Sequence, residues 1–447
     1  MRMQRGWVYR KILVWVLLVH FSCQKERSDN SFSWDQLTPR VQVLGGSHNE
    51  SAHAVIPTMD GGFAVLGHAQ SNDQLLADKK NTSYDMWLLR FDETGELLWH
   101  KTYGGKGNDR GLDLIETNKG DFVLLGFSEG LSDDWQSETS TQNLWLVQVD
   151  SRGRIRWEKT YGFAGSDYGT QLIANPDGGF VVAGVLDVTA SGGEGNKHRK
   201  HAGGDFWVLR LDAQGELLWR NYFGGLQSDT PNDLVATQDG GYLVVGTTDS
   251  ADTDITHNRG SYDCWVIKLN PNGQLEWEAT FGGSQIDTAY AIQPTPKGNY
   301  RIVGDSRSID QQILSNKGAA DLWTFEMAPD GTLIQEKCYG GSNFDAGRSL
   351  FLLEDGNWLL AGNSRSADGD LLLNKGQNDA WTLILDATAA RLLWSQNIGG
   401  SLIDTALDAI QLRNGTLVTV GETSSADGDI SDYAGFTDAL VIINSMP

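Results

Sequence analysis

Gly104-Gly-Lys-Gly-Asn-Asp109, Phe122-Val-Leu-Leu-Gly126 and Asn143-Leu-Trp-Leu-Val-Gln-Val-Asp150 are the landmarks of a block that returns seven times along this chain of 447 residues. Its tryptophan sets the period. Trp87, Trp145, Trp207, Trp265, Trp323 and Trp381 follow one another at 58, 62, 58, 58 and 58 residues, and Leu440 holds the seventh place 59 residues on. A diglycine keeps the same time at Gly45-Gly46, Gly104-Gly105, Gly224-Gly225, Gly282-Gly283, Gly340-Gly341 and Gly399-Gly400, with Gly162-Phe163 in the remaining copy. Self-similarity at this period signals a solenoid, propeller or array, whose units bury their apolar faces only against neighbours.

Each block holds four short runs rich in Val, Ile, Leu, Trp and Phe, parted by turns such as Asn118-Lys119-Gly120 and Ser151-Arg152-Gly153. Such runs read as strands joined in hairpins. Four antiparallel strands per block, seven blocks and no helical periodicity predict an all-β, seven-bladed β-propeller over residues 38–447. Stretches such as Phe122 to Leu125 are apolar at consecutive positions, as strands packed on both faces require. A β-solenoid is the alternative, with shorter coils and fewer hairpins. The last block stops at Ile442-Ile443 after its third run, while Val41-Gln42-Val43-Leu44 lies ahead of the first diglycine in fourth-strand register. The N-terminal strand is therefore expected to close the last blade and remove two exposed edges.

Gly282-Gly-Ser-Gln-Ile-Asp287, Asp239-Gly-Gly-Tyr242 with Val244-Val-Gly246, and Asp263-Cys-Trp-Val-Ile-Lys-Leu269 resemble the SBBP class of bacterial seven-bladed propeller repeats over residues 40 to 443. The resemblance implies a fold and an envelope or secreted setting; it implies no single reaction. Leu211-Asp-Ala-Gln-Gly-Glu-Leu-Leu-Trp219 and Leu385 to Trp394 are also similar to the tryptophan-docking repeat of quinoprotein propellers. The common aspartate-to-tryptophan spacing, as in Asp92 to Trp99, departs from that pattern by one, and there is no adjacent cysteine pair. No cofactor is expected on these grounds.

The first 22 residues read as an export signal. Arg2, Arg5, Arg10 and Lys11 precede the apolar stretch Ile12 to Val19, too short to span a bilayer as a mature helix. Ser22-Cys23 resembles a bacterial lipobox, which implies lipidation at Cys23; His20 departs from the aliphatic residue usual there, and secretion with a free cysteine is the alternative. Gln24-Lys25-Glu26 resembles the short charged signal of Bacteroidota surface lipoproteins, and residues 23–37 make a polar tether. The expected location is the outer membrane, lipid-anchored and facing outward, with the periplasm or medium as alternatives. Loss of residues 1–23 moves the net charge from -23 to -27, which repels nucleic acid and anionic lipid. Cys264 and Cys338 fall in different blades and are expected to pack as small apolar residues.

Connections from first to second strand (Asp60-Gly61-Gly62) and third to fourth (Asn270-Pro-Asn-Gly273) are tight, whereas those from second to third are long and variable. The long loops share one face with the blade-to-blade crossings, and variable loops on a rigid scaffold are where binding usually resides. Five residues beyond the first glycine of each register stands an acid: Glu50, Asp109, Asp167, Asp229, Asp287, Asp345 or Asp404. These could ring the channel mouth and hold cations, or each could accept backbone N–H bonds in its own turn; recurrence in every blade favours the turn. Asp368, Asp370, Asp427 and Asp429, with Asp249, Asp252 and Asp254, are oxygen ligands beside glycine that suit calcium, although none completes an EF-hand loop.

Residues that break the repeat are the ligand-binding candidates: Trp135 with Asp133 and Asp134 in one long loop, and His198, Arg199 and His201 within the basic island Lys197–His201 in another. Catalytic signatures are missing: there is no G-x-S-x-G, zinc pattern or phosphate-cradling loop. The expectation is a monomeric, non-catalytic envelope lipoprotein that binds a protein or glycan through its loop-rich acidic face. The alternative is a carbohydrate-active hydrolase or lyase using channel-mouth acids.

Overall fold

The computed structural model describes residues 34–130, 142–191, 201–371 and 373–445. Cys23, Asp133, Asp134, Trp135, Lys197, His198, Arg199 and Lys200 lie outside the described residues, as do the export signal and most of the tether. Residues Asp35–Pro447 form one compact unit of seven four-stranded antiparallel sheets. Blade 1 runs Glu50–Pro57, Phe63–Ala69, Asp85–Phe91 and Leu97–Tyr103, and blades 2 to 6 repeat that order. Blade 7 takes Asp404–Gln411, Leu417–Thr423 and Asp438–Ser445 from the end of the chain and its fourth strand, Thr38–Leu44, from the beginning. The seven-bladed propeller and its closure by the N-terminal strand are thus as the repeat predicts.

The tryptophan ruler is an interface ruler. Trp87, Trp145, Trp207, Trp265, Trp323 and Trp381 are all buried in third strands. Each packs on the preceding blade: Trp87 with Val418 and Val441 of blade 7, Trp145 with Leu66 and Met86 of blade 1, Trp207 with Leu125 and Leu144 of blade 2. The core is therefore distributed between blades, one ruler tryptophan at six of the seven junctions and Leu440 at the last, each tryptophan costing about 3–5 kcal/mol to truncate to alanine. Cys264 and Cys338 are free thiols within one such cluster.

Each innermost strand carries one extra residue. The ladder to the second strand skips His53, Leu112, Thr170, Asn232, Arg348 and Leu407 in blades 1, 2, 3, 4, 6 and 7. Such bulges re-aim side chains. They also press the backbone against the second strand, where a Cβ on Gly362 would come within 1.8 Å of the Ala346 carbonyl oxygen. Only glycine fits that close approach, which accounts for the glycine in every Val-Val-Gly-like run.

Candidate functional site

Three features stand out: the blade crossings, the loops above them and the channel the innermost strands enclose. At the crossings the acid column is buried. Glu50, Asp109, Asp167, Asp229, Asp287, Asp345 and Asp404 each accept the N–H of the second residue of the diglycine register, at 2.6–2.8 Å. Asp345 takes the hydroxyls of Ser364 and Ser366 as well, so its lone pairs are spent inside the turn. Across the crossing stands a second buried acid, the first residue of the preceding blade's third strand, such as Asp321 or Asp379. A Cβ on Gly399 would lie 2.7 Å from Asp404 and 2.8 Å from Asp379, so the first glycine of the register is the gap between two carboxylates. Burial pushes Asp321 up to about 7 and Asp379 up to about 6.

The loop acids are tied down too. Asp368 and Asp427 accept the N–H groups of Ser342 and Ser401, both at 2.7 Å, and Asp252 accepts that of Leu226 at 2.9 Å. Asp370, Asp429 and Asp254 accept the N–H of the first glycine at 3.0, 3.2 and 3.2 Å. Asp370 and Asp429 also pair with the ammonium groups of Lys317 and Lys375. Asp249 lies beside Tyr262. Among the described residues no group of three or more His, Cys, Asp and Glu side chains is arranged to hold a metal. His201 Nδ1 lies 2.8 Å from Asp205; burial works against the imidazole's charge, but that carboxylate holds its pKa above the usual range.

The channel is where the blades differ. A cavity of about 650 Å³ is lined by His53, Leu112, Thr170, Asn232, Tyr290, Arg348 and Leu407, which all occupy one repeat position. Seven blades need the same bulge but not the same side chain, so this column is free to vary. The Arg348 guanidinium lies 3.9 Å from the Tyr290 ring centre and 3.4 Å from Asp305, and His53 bonds the Leu112 carbonyl. The next position carries Asp113, Asp233 and Asp408, which accept the Leu172, Ile292 and Val55 amides of the following blade. Burial raises all three, Asp233 to about 7 and Asp408 to about 6. These channel residues carry no signal in a single sequence except their place at the bulge and one residue beyond it.

No family model matches the chain. A regulatory protein, FlaEY of Caulobacter vibrioides, is 21% identical over 402 residues, which are 79% of this chain and 41% of that protein, so the chain spans less than half the length of this curated relative. Among solved structures, a protein of unknown function from Dyadobacter fermentans is 12% identical with a TM-score of 0.46, over 92% of this chain and 99% of that one. Another of unknown function, from Bacteroides caccae, is 13% identical with a TM-score of 0.42, over 74% and 93%. Among the described residues no helix is long and apolar enough to cross a membrane.

Proposed function

We propose that the chain is a non-catalytic, lipid-anchored envelope protein whose propeller binds a protein or glycan partner through its loop-rich face. One observation supports this most: the most exposed large apolar side chains gather there. Ile309, Leu314, Leu373 and Phe436 are 67–79% exposed, and all four belong to the long connections of blades 5, 6 and 7. Among the described residues the tight-turn face offers only Met59 in its turns, at 48%. Large apolar groups held in water by a rigid scaffold mark interaction sites. The test is capture from solubilised envelope by the intact chain beside a Leu314→Glu/Phe436→Glu variant and a Met59→Glu control. Partner loss in the double variant alone is expected; equal capture by all three would refute the assignment of the face.

The raised pKa values of Asp113, Asp233 and Asp408 beside a 650 Å³ cavity favour a second reading, a hydrolase or lyase acting on carbohydrate. Turnover on a polysaccharide panel, lost in Asp233→Asn with the fold retained, would establish it.

A further inference from the structure

One repeat column on the loop-rich face changes sign around the ring. It is the residue just past the pair that joins each second strand to the crossing acid, as Ser364 pairs with Asp345. Blades 2 to 4 carry Glu129, Asp187 and Asp249 there, blades 5 and 6 carry Arg307 and Arg365, and blades 1 and 7 carry Gln70 and Ser424. The fold uses only its backbone: in six blades its N–H donates, at 2.8–3.2 Å, to the carbonyl of the residue ahead of the crossing acid. That second column changes in step. It is polar in blades 1 to 4, with Asn49, Asn108, Ser166 and Ser228, and apolar in blades 5 to 7, with Ile286, Phe344 and Ile403.

The two arginines are exposed, and among the described residues neither forms an ion pair. Arg307 lies over the Phe344 ring, 5.7 Å from its centre. Arg365 lies 5.8 Å from the same centre, and only its Nε is engaged, by the side-chain oxygen of Asn378. Asp305, within the field of Arg307, is buried and already paired with Arg348. The lysines of the same two loops differ: Lys317 and Lys375 have each taken an acid. Ile309 follows Arg307 by two residues, and Leu314 and Leu373 belong to the same loops, all three 67–79% exposed. Unpaired cations and unburied apolar groups thus share one sector of a chain whose net charge is -23.

We propose that the blade 5 and 6 sector is the docking surface for a segment of a protein partner that combines carboxylates with large apolar side chains. Guanidinium forks match carboxylates, and apolar contacts around them exclude the water that would weaken the pairing. An acidic polysaccharide could answer the arginines but brings little apolar surface for Ile309, Leu314 and Leu373. Glu129, Asp187 and Asp249 on the far side repel the partner's acids and so fix its orientation. The inference rests on the protein arm of the function proposed above and names the chemistry of that partner.

The experiment is selection of a random dodecapeptide display library on the full chain, followed by fluorescence anisotropy of the leading peptide. The variants are Arg307→Glu/Arg365→Glu and Arg307→Gln/Arg365→Gln, which borrow the residues of blades 2 and 1 at an exposed position; an unchanged melting midpoint verifies the fold. The native chain is expected to enrich peptides that pair Asp or Glu with Leu, Ile, Phe or Trp. Affinity should fall about tenfold or more in the glutamate variant, by less in the glutamine variant, and with added salt. The glutamate variant used as bait should enrich Lys and Arg instead. No enrichment, or undiminished binding by the glutamate variant, would overturn the proposal, as would polygalacturonate binding that needs the two arginines while no peptide enriches. Peptides without acids that are lost in Leu314→Glu/Phe436→Glu would overturn the charge assignment and leave the binding face standing. Peptides held equally by that variant would refute the face itself.

Discussion

The crossing into blade 6 and the crossing into blade 3 start from the same backbone plan and end differently. At Gly341 the loop above packs down until Asp368 Oδ1 and its carbonyl oxygen would lie 2.3 and 2.5 Å from an added Cβ. At Phe163 the loop instead leaves through a short helical turn, Val188–Ser191, and the phenyl ring settles 6.4 Å from Trp207. Both crossings keep the acid that caps the turn, Asp345 in one and Asp167 in the other. The cap belongs to the scaffold; what sits on it is negotiable.

The comparison breaks most visibly if the two crossings exchange residues. Gly341→Phe should cost about 3 kcal/mol or more by overpacking, read as a lower urea midpoint. Asp345→Ala should cost about 2 kcal/mol, because it leaves the Gly341 amide and two serine hydroxyls buried without their acceptor.

Acid dependence sharpens the contrast. Across the blade 6 crossing stands Asp321, pushed up to about 7; across the blade 3 crossing stands Asn143, which does not titrate. Asp205 at about 7 and Asp109, Asp229, Asp263 and Asp379 at about 6 shift the same way, all chiefly through burial. A carboxyl with a raised folded pKa lends stability below its unfolded value near 4 and loses it as pH rises through the folded one. The melting midpoint should therefore fall between pH 5 and pH 8. Asp321→Asn should flatten that slope and Asn143→Asp should steepen it; a midpoint that rises across the window contradicts the burial of these pairs. The smallest effects come last. Chelation should move the midpoint by no more than about 1 °C, since Lys317 and Lys375 already neutralise the loop acids Asp370 and Asp429. Phe163→Gly should change stability by less than about 1 kcal/mol, six other crossings having glycine there.

What the sequence discloses is what every blade must do alike. The tryptophans are legible because six of the seven junctions use one, and the glycines because a carboxylate pair or a bulge leaves no room for a Cβ. The acid column is legible as a column, yet its partner across the crossing is not, since Asp345 and Asp321 lie 24 residues apart with no local pattern linking them. The pairing of Asp370 with Lys317, 53 residues earlier, is equally silent until the ring closes them together. His53, Asn232 and Arg348 share one position but no chemistry, so periodicity hides them. Phe163 is the exception, a misfit visible in the sequence whose packing beside Trp207 is not.

The strand Thr38–Leu44 pairs with Asp438–Ser445, so that Thr38 faces Ser445 and Leu44 faces Ala439. A growing chain carries the first partner unpaired through the synthesis of nearly four hundred residues before its mate exists. Six blades can assemble in sequence from local hairpins, but the seventh waits on the longest loop closure the molecule contains. The slowest step of folding should therefore be the docking of that strand, and a chain interrupted before residue 438 should present two raw strand edges to its surroundings. The latch that makes the ring durable is also its window of vulnerability, and a period when a chaperone would matter most.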